Sequence, residues 1–222
     1  TAVGYKSLYA NTTGYYNTAM GSQSMLSNTT GRSNTAIGYD AMRMNTTGSS
    51  NTSLGVSSLR NNTTGYRNVA LGRGAMYYNT TGHYNTSVGG FALNSNTTGF
   101  YNTAIGTYAA SSASTGAYVT SIGALSMSAS TGGESVAIGT SSLYRSEGLY
   151  NVAVGNNTFS ELRTGSSNTA LGHYSMPSLT SGETNIAIGH RAGNTVTTGS
   201  RNILIGDYAA NGTVTSTNNI AI

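Results

Sequence analysis

The sequence predicts an all-β chain, a parallel β-solenoid of about thirteen coils with a seventeen-residue repeat. Three observations predict it: a glycine period too short for helical repeats, a period-two alternation before each of those glycines, and a recurring Asn-Thr-Thr-Gly turn. With the glycine that closes each Asn-Thr-Ala-Ile-Gly phrase as position zero, the series falls at 4, 21, 38, 55, 72, 89, 106, 123, 139, 155, 172, 189 and 206. The step is seventeen residues, with two sixteens around 123–155. A second glycine follows ten places later, or nine in the short copies, and the two series hold 25 of the 30 glycines. Glycine here marks a period. Helical repeats need roughly 33 to 47 residues per unit, whereas seventeen suits one turn of a β-solenoid.

The first element of each coil precedes the zero glycine. Positions minus three and minus one are Thr/Val/Ile and Ile/Val/Leu/Met, as in Thr35 and Ile37, Val152 and Val154, or Ile186 and Ile188, while minus four and minus two are mostly Asn and Ala. Alternation in β-branched residues predicts a strand with one apolar face. After the glycine comes a small residue and usually a Leu or Met, as in Ser7-Leu8, Ala41-Met42 and Ser58-Leu59. That pair predicts a second, shorter strand. The Asn-Thr-Thr-Gly that ends the unit predicts a turn, because Asn and Thr bond locally to backbone and glycine takes positive φ without penalty.

The coil's apolar set, for example Thr35, Ile37 and Met42, is thin for a free-standing solenoid. The minus-two column, Ala2, Ala19, Ala36, Ser53, Ala70, Ser87 and Ala104, lies on the opposite face. A column this small permits close approach of another backbone, so self-association is expected; the alternative is that it faces a crowded turn of its own chain.

The composition fits a solenoid better than disorder. Of 222 residues 37% are apolar and only 7% charged, but disorder also requires high net charge, and the balance is only +4. Stacking supplies the burial that one coil lacks, and thirteen coils at the strand spacing of ~4.8 Å predict a rod about 60 Å long. With no cysteine, cohesion must come from ladders and packing. Ten Lys and Arg at shifting positions make no basic stripe, so nucleic acid is not an expected partner despite a pI near 9.3. No apolar run approaches the ~20 residues of a membrane-spanning helix, and no membrane insertion is expected.

Copies up to Gly106 are the most regular, with Asn-Thr-Thr-Gly at 11–14, 28–31, 45–48, 62–65, 79–82 and 96–99. From Thr107 to Gly155 the turn drifts and two coils lose a residue, a loss that must fall in turns because a slip inside a strand flips its faces. Pro177 is expected just after the second strand. Residues 1–222 read as a single solenoid domain, and because Thr1 and Ile222 both fall inside a phrase, a longer polypeptide is expected.

Phrases such as Asn34-Thr-Ala-Ile-Gly, Ser135-Val-Ala-Ile-Gly and Asn185-Ile-Ala-Ile-Gly, each followed by a small residue at plus three, resemble the repeats of trimeric autotransporter adhesin heads. The longer form with Asn-Thr-Thr-Gly is similar to repeats of phage tail fibres. The resemblance covers the whole chain and implies a left-handed parallel β-roll, three chains side by side, and the task of reaching and gripping a surface. The seventeen-residue coil is longer than is usual in the adhesin heads.

Little in the sequence suggests catalysis. Six acids (Asp40, Glu134, Glu147, Glu161, Glu183 and Asp207) and three histidines are scattered without a recurring acid–base pair, and nucleophile-elbow, zinc-protease and phosphate-loop motifs are missing. No catalytic residue, cofactor or metal ligand is assigned, and no enzyme is expected. His173, His190 and Asp207 share position plus one in consecutive coils. They leave open a pH-sensitive or metal-binding column as well as a solvated turn.

Tyr15, Tyr16, Tyr66, Tyr84, Phe100, Tyr101, Tyr118 and Tyr150 follow the second glycine and should crowd one edge. Amphipathic rings beside Asn and Thr suit either a glycan or protein receptor or a neighbouring chain. Asn11, Asn28, Asn45, Asn62, Asn79 and Asn96 can form a coil-to-coil amide ladder, and also match the N-x-Thr acceptor pattern for glycosylation. Regular Thr rows further allow an ice-binding solenoid. The expected function is a fibre segment of an extracellular, cell-surface or virion appendage that attaches to a receptor by multivalent display; the alternative is a self-assembling filament or spacer without a ligand.

Overall fold

A computed structural model describes residues 1–210, 212, 215 and 217–222. It divides into two units, 1–117 and 118–222. Each is a parallel β-solenoid, about thirteen turns in all at the seventeen-residue spacing, with no helix among the described residues. The first unit carries β1 (Ala2–Val3), β2 (Thr18–Met20), β3 (Thr35–Ile37), β4 (Thr52–Leu54), β5 (Val69–Leu71), β6 (Thr86–Val88) and β7 (Thr103–Ile105), paired in chain order. The second carries β8 (Thr120–Ile122), β9 (Val136–Ile138), β10 (Val152–Val154), β11 (Thr169–Leu171), β12 (Ile186–Ile188), β13 (Ile203–Ile205) and β14 (Ile220–Ala221), ordered likewise.

Register follows the repeat. Thr35 lies beside Thr52, Ala36 beside Ser53 and Ile37 beside Leu54. The sixteen-residue coils keep this phase, with Ile122 beside Ile138 and Ile138 beside Val154, so the missing residues are absorbed outside the strands.

Which strand face points inward is the reverse of the expectation. Ala19, Ala36, Ser53, Ala70, Ser87 and Ala104 are fully buried inside their own coil. The minus-one and minus-three side chains point outward: Leu54 is 48% exposed and Ile188 37%. The small column is therefore an interior wall, and the reason is width. Opposite it, plus three and plus four fill the coil, and Met25, Met42, Leu59, Met76 and Leu93 are all fully buried. An Ile at minus two would compete with those side chains for the same space.

The expected second strand is a run of turns. Ala41 N–H donates to Gly38 O and Arg43 N–H to Asp40 O, both at 3.3 Å, and the third residue of each turn has positive φ: Asp40 at 56° and Met42 at 49°. These are type II geometries held without glycine, at roughly 1 kcal/mol or more per residue. Alternate N–H groups bond across coils and offset that cost: Met42 N–H donates to Ser58 O at 3.0 Å and Met44 N–H to Arg60 O at 2.9 Å. The left-handed bend turns Met42 into the interior. Pro177 lies in this turn segment and follows no strand.

Both glycine columns mark close approach between coils. Gly38 has φ 136°, and a Cβ there would lie 2.5 Å from Gly55 O. A Cβ on Gly48 would lie 2.4 Å from Gly65 O and from Asn45 Oδ1. Substitution at either position forces adjacent coils apart.

Candidate functional site

Two asparagine ladders line the corners of the first unit. In one, Asn28 Nδ2 donates to Asn11 Oδ1, and the contact repeats from Asn45 to Asn28, Asn62 to Asn45, Asn79 to Asn62 and Asn96 to Asn79, each at 2.7–2.8 Å. Each of these amides also donates to the glycine carbonyl three residues on, as Asn45 does to Gly48 O at 3.0 Å. Asn28 through Asn96 are fully buried, so the folded coil offers a glycan no attachment point there. Asn96 Oδ1 has no hydrogen-bond partner, because the next rung is Ala113.

The second ladder, at minus four, was not foreseen. Asn34 N–H and Nδ2 donate to Asn17 Oδ1 at 3.0 and 3.2 Å, and Nδ2 also reaches Gly48 O at 2.8 Å. The pattern continues through Asn51, Asn68 and Asn85, and in the second unit through Asn151, Asn168, Asn185, Asn202 and Asn219. Its signal was the recurrent Asn of the strand phrase, which alternation assigned only to a face. The Thr rows beside the first ladder turn along it: Thr46 Oγ1 donates to Thr63 O, and Thr63 Oγ1 to Thr80 O, each at 3.1 Å.

The predicted aromatic edge is present as two adjacent columns. Along one, Tyr66, His83 and Phe100 stack nearly parallel, with centroids 4.8 and 5.3 Å apart and 5° between planes. Along the other, the Arg67 guanidinium lies 5.1 Å over the Tyr84 ring, and Tyr84 stacks on Tyr101 at 4.9 Å. The second column of the first unit sits at positive φ, as at Tyr16, Tyr84 and Tyr101, and Tyr118 and Tyr150 in the second unit have the same backbone conformation. Earlier in the first unit, Tyr15 and Tyr16 meet edge to face at 5.0 Å, and Arg32 lies over Tyr15 while donating to its Oη at 2.8 Å. Tyr16 is 83% exposed. In the second unit a hydrogen bond with Glu134, and then that carboxylate's charge, hold the Tyr150 phenol above its ordinary pKa.

The strand face presents another outward column. In the first unit Val3, Met20, Leu54 and Ile105 are exposed, with Ile37, Leu71 and Val88 half-buried between them. In the second unit Ile138, Val152, Leu171, Ile186, Ile188, Ile203 and Ile205 are all exposed.

Several of the scattered charges pair with one another. Asp40 is buried and accepts from Arg60 Nε at 3.1 Å, with Arg43 Nε 3.7 Å away. Desolvation works against the Arg60 charge, but the Asp40 hydrogen bond and neighbouring charges outweigh it and raise its pKa. His173 stacks on His190 at 5.7 Å, and His190 Nδ1 lies 2.9 Å from Asp207 Oδ1. Among the described residues no three His, Cys, Asp or Glu side chains group to hold a metal, and no helix is long and apolar enough to cross a membrane. Compared with protein-family models, curated proteins and solved structures, the chain matches none of them.

Proposed function

We propose that this chain is a fibre segment of an extracellular or virion surface appendage that assembles with copies of itself and holds a surface receptor by multivalent display. The observation that supports the reading is the column of aliphatic side chains on the outer strand face of each unit. A contiguous row of exposed Ile, Val and Leu on a flat β surface marks an interface, and a second copy of the same row is its natural cover. Three copies is the number implied by the resemblance to adhesin heads. Self-association thus rests on the outward Ile and Leu column, and not on the small residues first credited with it.

Attachment falls to the aromatic edge, where rings and guanidinium groups recur along successive coils and weak contacts gain from effective concentration. The role is non-catalytic. The second reading, a spacer whose columns only pack chain against chain, is favoured by the same aliphatic face and separates by mutation.

Sedimentation of the wild-type chain and of an Ile186→Thr, Ile188→Thr, Ile203→Thr, Ile205→Thr variant tests assembly, and cell binding by a Tyr84→Ser, Tyr101→Ser variant tests attachment. The attachment reading expects a wild-type oligomer, dissociation of the Ile variant, and a Tyr variant that stays assembled but no longer binds. A monomeric wild type at micromolar concentration contradicts self-association. A Tyr variant that falls apart favours the spacer.

A further inference from the structure

Between Tyr15 and Tyr101 in the first unit, one rung interrupts both planar columns at once. Position by position the first column runs Tyr15, Arg32, Ser49, Tyr66, His83, Phe100, and the second runs Tyr16, Ser33, Ser50, Arg67, Tyr84, Tyr101. At Ser49 and Ser50 both columns lack a flat group. The gap is an open notch of about 280 Å³ lined by Arg32, Ser49, Ser50, Tyr66 and Arg67. We propose that this notch binds one pyranose ring carrying a carboxylate or sulfate, an acidic sugar unit of a surface glycan, with the ring taking the place of the missing rung.

The dimensions favour a single ring. Arg32 and Tyr66 stand two coils apart, roughly 10 Å at the strand spacing, which leaves room for one slab in van der Waals contact on both sides. The Tyr66 ring offers an amphipathic wall on the side away from His83, and its other face is already taken up by that stack. Ser49 and Ser50 provide a short polar floor suited to sugar hydroxyls. Ser49 Oγ is fixed, accepting from Arg32 N–H at 3.1 Å and donating to Thr47 O at 3.2 Å.

The charge of the notch selects an anion. Two of its five lining residues are arginine and none is acidic. Each guanidinium is oriented from behind: Arg32 donates to Tyr15 Oη and Arg67 to Tyr84 Oη, contacts on the far side of each from the gap. Each uses one N–H in this way, and the remaining donors suit a carboxylate or sulfate. Holding the forks in place before binding lowers the ordering cost of capture.

The second unit supplies an internal contrast. It repeats the Ser-Ser rung at Ser166 and Ser167, but between Leu149, Tyr150 and Glu183, Thr184, with a carboxylate in place of the guanidinium groups. Another notch in that unit, lined by Leu125, Ser141, Tyr144, Arg145, Asn157, Ser160 and Glu161, pairs its Arg145 with Glu161 at 3.6 Å. Neither has an excess of positive charge for an anion.

The proposal rests on the attachment reading, whose receptor chemistry it specifies, and the test keeps the two apart. Methyl glucuronide, N-acetylneuraminic acid, a sulfated galactoside and neutral methyl glucoside are titrated into the full chain by ligand-observed NMR. At least one anionic probe should bind tenfold or more tightly than the neutral one. Ser49→Tyr should abolish that binding, since Tyr15 and Tyr66 show that the column accommodates a ring, with circular dichroism and sedimentation unchanged. Arg32→Gln with Arg67→Gln should erase the preference for anions. Equal binding of neutral and anionic probes, binding that survives Ser49→Tyr, or no binding of any anionic probe overturns the site. Cell attachment that survives Ser49→Tyr overturns the site as receptor contact and leaves the attachment reading standing. Saccharide binding without cell attachment supports the site and counts against attachment.

Discussion

Leu204 fills the space that Gly193 leaves. At minus two, where other coils carry Ala or Ser, β13 has a fully buried Leu204; at plus four of the preceding coil, where most others carry Leu or Met, the residue is Gly193. A Cβ on Gly193 would lie 2.7 Å from Leu204 Cδ1 and 2.9 Å from Met176 Cγ. The large side chain that fills this space enters from the opposite wall.

The exchange predicts a non-additive cycle. Leu204→Ala leaves a cavity with nothing from Gly193 to occupy it, and should cost about 3 kcal/mol in urea unfolding. Gly193→Leu alone should also destabilise, by overpacking against Leu204. The double variant restores the pattern of Leu93 beside Ala104 and should recover most of the loss; strict additivity would contradict the shared space.

Breaking the first asparagine ladder should cost more in its middle than at its start. Asn62→Ala removes the donor to Asn45 Oδ1 and one of the two acceptors of Asn79 Nδ2, leaving a buried oxygen and a buried N–H without partners. At about 1–3 kcal/mol for each orphaned group, the first unit should lose roughly 3 kcal/mol. Asn11→Ala removes the acceptor of Asn28 Nδ2 and the bond from its own Nδ2 to Gly14 O, but at a half-buried end that water reaches, and its loss should be under half as large by thermal unfolding. Equal costs would show that the amides act independently of their neighbours.

Tyr150 should titrate above its ordinary value of 10.0, because its hydrogen bond with Glu134 and that residue's charge favour the neutral phenol. The raised value places its stabilising contribution below the unfolded pKa, with loss as pH rises through the folded one. Ultraviolet absorbance at alkaline pH follows the phenolate directly. Glu134→Gln should return the transition toward lower pH, and an unmoved transition would rule out the pair.

The period, the parallel pairing and the Asn11-to-Asn96 amide contacts were legible in the sequence, because a seventeen-residue step and recurrent Asn-Thr-Thr-Gly translate directly into stacked equivalents. The inward face was not. Alternation says that Ala36 and Ile37 lie on opposite sides, but which side is interior depends on what fills the coil from across. That group is Met42, in a left-handed conformation that its residue type gives no reason to expect. The same bends turned the expected second strand into successive turns. Rings at Tyr66, Tyr84, Phe100 and Tyr101 could be placed on one edge by counting; the notch at Ser49 and Ser50 could not, since it depends on the rung between two planar neighbours lacking one.

Ile37 and Leu54 lie side by side on the outer face while Ala36 points inward, and the stacking of the coils depends on that arrangement. The chain contains no cysteine, so paired substitutions report this without background. Adjacent parallel strands at ~4.8 Å fall within the ~4.4–6.8 Å Cα window for a disulfide. Under mild oxidation, Ile37→Cys with Leu54→Cys should form an intrachain bond, and Ala36→Cys with Leu54→Cys should not. Failure of the first pair to close, or equal closure of the second, would contradict the register and the facing on which the aliphatic column, the ring stacks and the notch are built.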